Sequence, residues 1–133
     1  MANALFDPGR EGFLDGTIDW DTDDIRVMLV KNTYSWDATD KFLSDLGAVE
    51  NGRSAALGTK TVTDGVADAA DTSLVASDAA ACSALVIFQH TGSDATARVI
   101  AFIDTATGLP FTPAASQTVN IAWDAGANKI FKL

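Results

Sequence analysis

Ser83-Ala84-Leu85-Val86-Ile87-Phe88 is followed, after the polar loop from His90 to Ala97, by Val99-Ile100-Ala101-Phe102-Ile103. These two continuous apolar runs, rich in branched and aromatic residues, decide the fold class. Runs of this length suit central strands covered on both faces. Working outward, Ile25-Arg26-Val27-Met28-Leu29-Val30-Lys31 reads as a third strand. Ile25, Val27 and Leu29 share one face of it, and Met28 and Val30 make the other partly apolar. Downstream, Val119, Ile121 and Trp123 alternate with Thr118, Asn120 and Ala122, the pattern of a half-buried strand that places Trp123 in the core. Asp124-Ala125-Gly126-Ala127-Asn128 is then a turn, and Lys129 to Leu133 a last strand.

Weaker strands are expected at Ile18 to Trp20, Thr59 to Thr63, Val66 to Ala70 and Thr72 to Ala76, with Asp64-Gly65 suited to a tight hairpin turn. Thr39 to Leu46 carries Phe42, Leu43 and Leu46 at helical spacing, with Thr39 as cap and Gly47 as stop, and reads as one short helix. Residues 1–16 hold Leu5, Phe6, Phe13 and Leu14 among Pro8, Gly9, Gly12 and Gly16, so they read as an N-terminal arm or short helical segment. Each glycine inside a helix costs roughly 1 kcal/mol, so packing must hold any helix there. Pro8, Pro110 and Pro113 all fall in expected loops. Seven or eight short strands without αβ alternation predict an all-β chain. Its expected form is an antiparallel β-sandwich, jelly-roll-like, with residues 17–133 as a single domain.

Composition narrows function. The 133 residues fit one domain, able to bury roughly two-thirds of its unfolded surface. Nine basic residues face eighteen acidic ones, a net charge of −9, which works against nucleic-acid backbones and anionic membranes and suits a basic protein partner. Sixteen of the acids are Asp and only Glu11 and Glu50 are Glu, so the acidity is largely turn chemistry. No apolar run spans a bilayer, the start lacks a secretory pattern, and Cys82 has no partner for a disulfide; the expectation is synthesis in a reducing cytoplasm.

Asp19-Trp20-Asp21-Thr22-Asp23-Asp24 has the carboxylate density of a calcium loop, but Asp24 and Val30 stand where an EF-hand needs Gly and Glu, so it reads as a solvated turn. His90, the only histidine, has no carboxylate nearby in sequence, and Cys82 lies among alanines without the electropositive neighbours of a reactive thiol. Scattered Asp pairs such as Asp68 and Asp71 are expected by chance. No catalytic residue, metal or cofactor follows. Tyr34-Ser35-Trp36 lies in an expected loop, where the rings plug one end of the fold or contact a partner.

The stretch from Val99 through Asp104-Thr105-Ala106-Thr107-Gly108-Leu109-Pro110 resembles a family of small tailed-phage virion structural proteins. So does the ending Ile121-Ala122-Trp123-Asp124-Ala125-Gly126-Ala127-Asn128-Lys129-Ile130-Phe131-Lys132-Leu133. The opening from Ala2 to Asp7 with Arg10 and Phe13 to Gly16, the segment Phe42-Leu43-Ser44-Asp45, and Lys60 to Asp68 extend the likeness. The resemblance implies a phage virion component. By analogy with other small β-sandwich phage proteins, the role is capsid cement or decoration on the head surface. The expected partners are the major capsid protein and further copies of the chain itself, with Leu5, Phe6, Phe13 and Leu14 as contact residues and Tyr34 and Trp36 behind them. The arm alternatively folds back over its own domain. Competing roles are a head-completion, collar or tail component, and a host-surface or glycan-binding module built on Tyr34, Trp36 and loop Asp residues.

Overall fold

The apolar runs of residues 83–88 and 99–103 lie side by side in a sheet that carries a separate core on each face. The computed structural model describes residues 3–133. In chain order the elements are β1 (Ala4–Leu5), α1 (Asp7–Asp15), β2 (Ile25–Lys31), β3 (Glu50–Arg53), β4 (Val66–Ala67), β5 (Thr72–Val75), β6 (Cys82–Gln89), β7 (Val99–Ile103), β8 (Thr118–Ile121) and β9 (Phe131–Lys132). Short 3-10 turns occupy Leu43–Leu46 and Thr63–Gly65. Among the described residues the strands form a five-stranded sheet, β1-β7-β6-β2-β3, and two two-stranded ribbons, β4-β9 and β5-β8. Every strand pair is antiparallel. The chain is therefore mainly antiparallel β structure with one short α-helix.

Alternation divides each inner strand between the two cores. Ile25, Val27 and Leu29 of β2 and Leu85 and Ile87 of β6 face one side, where they meet Leu57, Leu74, Ile121 and Trp20. Met28 and Val30 of β2 and Ala84, Val86 and Phe88 of β6 face the other, where they meet Phe6, Leu43, Leu46 and Val49. Fully burying each large apolar side chain contributes about 1.5–3 kcal/mol, which is why runs apolar on both faces end in the middle of the sheet. One residue breaks the alternation. In the β6–β7 register Ile87 pairs with Ala101 and Phe88 with Val99, so Ile100 is the extra residue of a bulge, and its carbonyl accepts the Phe6 amide at 3.0 Å.

The opening residues are built into this sheet. Ala4 and Leu5 pair with Phe102 and Ala101, and α1 follows, with Pro8 in its first turn and Gly16 as a left-handed cap at φ 80°. Gly9 is what lets the helix lie against β7: a Cβ there would sit 2.9 Å from the carbonyl oxygens of both Val99 and Ile100. Arg98 adds a bond from Nη1 to the Pro8 carbonyl (3.0 Å). The glycines that weaken the helix as an isolated element are thus part of its packing.

Three sequence expectations need correction. Thr39 to Leu46 is not a helix: Phe42 is extended and bridges Arg98, the Asp45 carboxylate accepts the Lys41 and Phe42 amides (3.0 and 2.9 Å), and only Leu43–Leu46 turn, as a 3-10 segment. Ile18 to Trp20 is irregular chain leading into a turn rather than a strand, with the Ile18 amide on the Gly12 carbonyl (3.0 Å). Thr59 to Thr63 contributes one bridge, Thr61 to Asp68, while Val66 and Ala67 pair with the C-terminal β9.

β3 shows how a polar, glycine-bearing tetrapeptide becomes an edge strand. Met28 pairs with Arg53 and Val30 with Glu50, so β3 carries one extra residue. Gly52 adopts φ 101°, and a Cβ on it would overlap the Val75 carbonyl oxygen of the crossing β5. Asn51 is fully buried, and its Oδ1 accepts the amides of Ser77 and Asp78, both at 2.9 Å. Its Nδ2 donates to the Asp78 carbonyl (3.1 Å) and to Cys82 Sγ (3.2 Å). One carboxamide therefore fastens the loop between β5 and β6 to the sheet edge.

Candidate functional site

The six residues expected to contact a partner are separated by the fold. Leu5 is buried in the core beneath the ribbons, and Phe6 is fully buried in the opposite core, 4.6 Å from the Trp36 ring centroid. Both belong to the protein's own interior. Trp36 and Tyr34 are half-buried and stack on Phe102 at 5.0 and 6.0 Å, closing the Phe6 side of the sheet. The Tyr34 hydroxyl donates to Asp40 Oδ2 at 2.7 Å and accepts the Asp37 amide at 3.3 Å. Burial pushes the Tyr34 phenol well above its ordinary range, and the Asp40 carboxylate adds to the shift. Burial likewise raises Asp40, against the lowering effect of the Tyr34 hydrogen bond. These rings act as plugs. Phe13 is half-buried against Phe131 (5.8 Å), and its neighbour Leu14 stands 88% exposed on α1.

Phe13 leads to a groove of about 250 Å³ beside β9. Trp20 and Phe131, edge-on at 5.3 Å, line it together with Ile18 and Ala67. The Trp20 indole N–H donates to the Asp68 carbonyl (3.1 Å), so the ring's polar edge is satisfied and its apolar body is turned to the core. Val62 (51% exposed) and Leu133 (61% exposed) stand at the groove's rim. These two, with Leu14 on α1 and Val75 on β5, are the large apolar side chains left in water among the described residues, and sequence reasoning singled out only Leu14.

A larger cleft of about 440 Å³ opens on the other side of the C-terminal segment, between β8 and Ile130. Leu29, Leu85 and Ile103 of the central sheet make its floor, and Phe111, Val119 and Trp123 line it further up. Strand β8 ends at Ile121, so Trp123 is not a strand residue; it is half-buried, its amide bonded to Asp71 Oδ1 (2.9 Å) and its indole N–H to the Ala70 carbonyl (3.1 Å). β9 is a two-residue strand held by pairing with the equally short β4; its Phe131 lines the groove, and Ile130 just before it lines the cleft.

Of the residues weighed for chemistry, Asp23, Asp24 and Cys82 are engaged by neighbouring groups, whereas His90 Nδ1 is buried without a hydrogen-bond partner. Asp23 Oδ2 accepts the Asp19 amide (2.8 Å) and Gln89 Nε2 (2.7 Å), and Asp24 takes both Arg26 nitrogens at 2.9 Å. The Arg26 guanidinium holds Asp24 below the usual carboxylate range. These carboxylates turn to backbone and side-chain donors, and among the described residues no three His, Cys, Asp or Glu side chains converge as a metal site. Cys82 is fully buried and burial raises its thiol. His90 lies edge-on to Phe88, ring centroids 6.4 Å apart, its backbone amide on the Asp24 carbonyl (2.7 Å). No described helix is long and apolar enough to cross a membrane.

No family model matches the chain, and neither curated proteins nor solved structures yield a match.

Proposed function

We propose that this chain is a virion structural protein of a tailed phage, a cement or decoration protein that binds the major capsid protein on the head surface and associates with further copies of itself. The observation that carries the reading is the groove beside β9, lined by Phe13, Trp20 and Phe131 with Val62 and Leu133 exposed in its wall, together with the exposed Leu14 that follows Phe13 on α1. Exposed apolar side chains at a concave, aromatic-lined surface are the makings of a protein contact. The net charge of −9 complements a basic partner and suits electrostatically guided association with it. The phage setting rests on the resemblance of the C-terminal string and the opening residues to small virion proteins.

A cement role also fits the layering. We read the β4-β9 and β5-β8 ribbons as a second, interrupted layer over the five-stranded sheet, which makes the fold a sandwich of unequal halves in the jelly-roll manner.

Because Leu5 and Phe6 are core residues, deleting the opening segment would unfold the domain and test nothing. The informative variant carries Leu14→Glu, Val62→Glu and Leu133→Glu together. It is expected to fold with an unchanged circular dichroism spectrum and to lose binding to phage heads stripped of the native protein. Full retention of head binding by the folded triple variant would refute this contact surface.

A further inference from the structure

We propose that the cleft between β8 and Ile130 is a binding site for a small amphipathic anion, an apolar chain carrying one carboxylate. Its volume of about 440 Å³ lies in the range of small-molecule pockets, roughly 300–1,000 Å³. The floor of Leu29, Leu85 and Ile103 presents hydrocarbon only, so a polar occupant would lose hydration there without compensation. An aliphatic chain gains by the same transfer, about 0.8 kcal/mol for each buried methylene.

The polar side chains of the lining belong to exposed or half-buried residues. Lys129 is the one cationic residue of the lining. It is half-buried, held at φ 47° with its amide on the Gly126 carbonyl (3.2 Å), and its Nζ reaches the Ala125 carbonyl at 3.5 Å, the outer limit of a hydrogen bond. Among the described residues no carboxylate lies within ion-pairing distance of that ammonium group, in a chain with twice as many acids as bases. Asp124 shares the rim, but its Oδ1 is turned into the loop, where it accepts the Gly126 amide at 3.1 Å. Asn3, Thr105, Thr107 and Asn120, all exposed, are the neutral polar side chains of the lining. An apolar floor below an unneutralised cation selects a chain with an anionic head. The proposal is independent of the groove beside β9 and of any role in a virion.

The test is titration of the full chain with decanoate, decanol and decylamine below their aggregation thresholds, followed by tryptophan fluorescence, with Trp123 at the cleft as reporter. Decanoate is expected to bind saturably and more tightly than decanol, and decylamine most weakly. Lys129→Gln is expected to bring decanoate affinity down several-fold, to that of decanol, while leaving decanol unchanged. Val119→Trp, which fills the cleft, is expected to abolish binding of all three with the urea midpoint near that of the native chain. Three results would overturn the proposal: no saturable binding of any probe, decylamine as the tightest ligand, or decanoate affinity untouched by Lys129→Gln.

Discussion

Replacing Asn51 with alanine removes the one side chain that ties β3 to the loop before β6. The native carboxamide accepts two amides at 2.9 Å and donates to the Asp78 carbonyl and the Cys82 sulfur at 3.1 and 3.2 Å. A typical hydrogen bond contributes about 0.5–1.5 kcal/mol net, and leaving a buried partner unmade costs about 1–3 kcal/mol. Ser77 is exposed and Asp78 half-buried, so their amides recover part of the loss from water, whereas the Cys82 thiol is sealed. The sum is roughly 2–4 kcal/mol, a large share of the ~5–15 kcal/mol that holds a domain folded. Urea unfolding followed by far-ultraviolet circular dichroism measures it directly. Asn51→Asp sharpens the reasoning, since it keeps both accepted amides but turns a carboxylate toward the Asp78 and Ala80 carbonyls and the Cys82 thiol. Burial raises the folded-state pKa of such a group, so its protonated form stabilises below the unfolded value of about 3.9 and that stability is lost as pH rises. Asn51→Asp is therefore expected to be less stable than Asn51→Ala at pH 7 and to recover toward pH 4. A loss below about 0.5 kcal/mol for Asn51→Ala would show that water replaces the carboxamide and would refute the anchor.

Gly9→Ala should destabilise by about 1–3 kcal/mol through overpacking against the Val99 and Ile100 carbonyls, although alanine favours an isolated helix; a raised urea midpoint would contradict the packing of α1 on β7. The Cys82 thiol, buried and raised by burial, should resist a thiol-specific disulfide reagent at pH 8 in the native chain and react at once in urea; rapid native labelling would contradict its enclosure. Stability should fall on acidification below about pH 4, because Arg26 lowers Asp24 and Lys31 lowers Asp78, and the unfolded chain takes up those protons first. Asp40, raised by burial, runs the other way. Urea midpoints at pH 6 and pH 3 read the balance, and Arg26→Gln should flatten the dependence; an unchanged slope would remove Asp24 from it.

The strands β2, β6 and β7 were legible because a strand buried on both faces must be apolar throughout, and few other elements of that length are. The chain signal fails where tertiary contact decides. Nothing local says that Glu50-Asn51-Gly52-Arg53 forms an edge strand: its glycine is needed for the crossing of β5, and its asparagine for a loop more than twenty residues away. In α1 the glycines argue against a helix until β7 is placed beneath Gly9. Between residues 39 and 46 the spacing of Phe42, Leu43 and Leu46 is met by a single 3-10 turn, because Phe42 bridges Arg98 instead. The contact residues divide for the same reason. Leu5, Phe6 and Leu14 look alike in an apolar opening segment, and only the pairing of β1 with β7 sends the first two inward. Val62 and Leu133 escaped notice as single apolar residues in polar surroundings. The cleft left no trace, since its lining is gathered from β2, β6, β7, β8, the loop after β7 and the C-terminal segment, far apart in the chain.

The central claim, a structural component of a phage head, is tested most directly by the copy number of the chain in purified virions, measured by quantitative mass spectrometry against the major capsid protein. The expected ratio is one-to-one or a simple fraction such as one-third, as for a protein that covers the shell. A few copies per particle would assign the chain to the neck or tail instead, and its absence from the virion would contradict the structural role altogether.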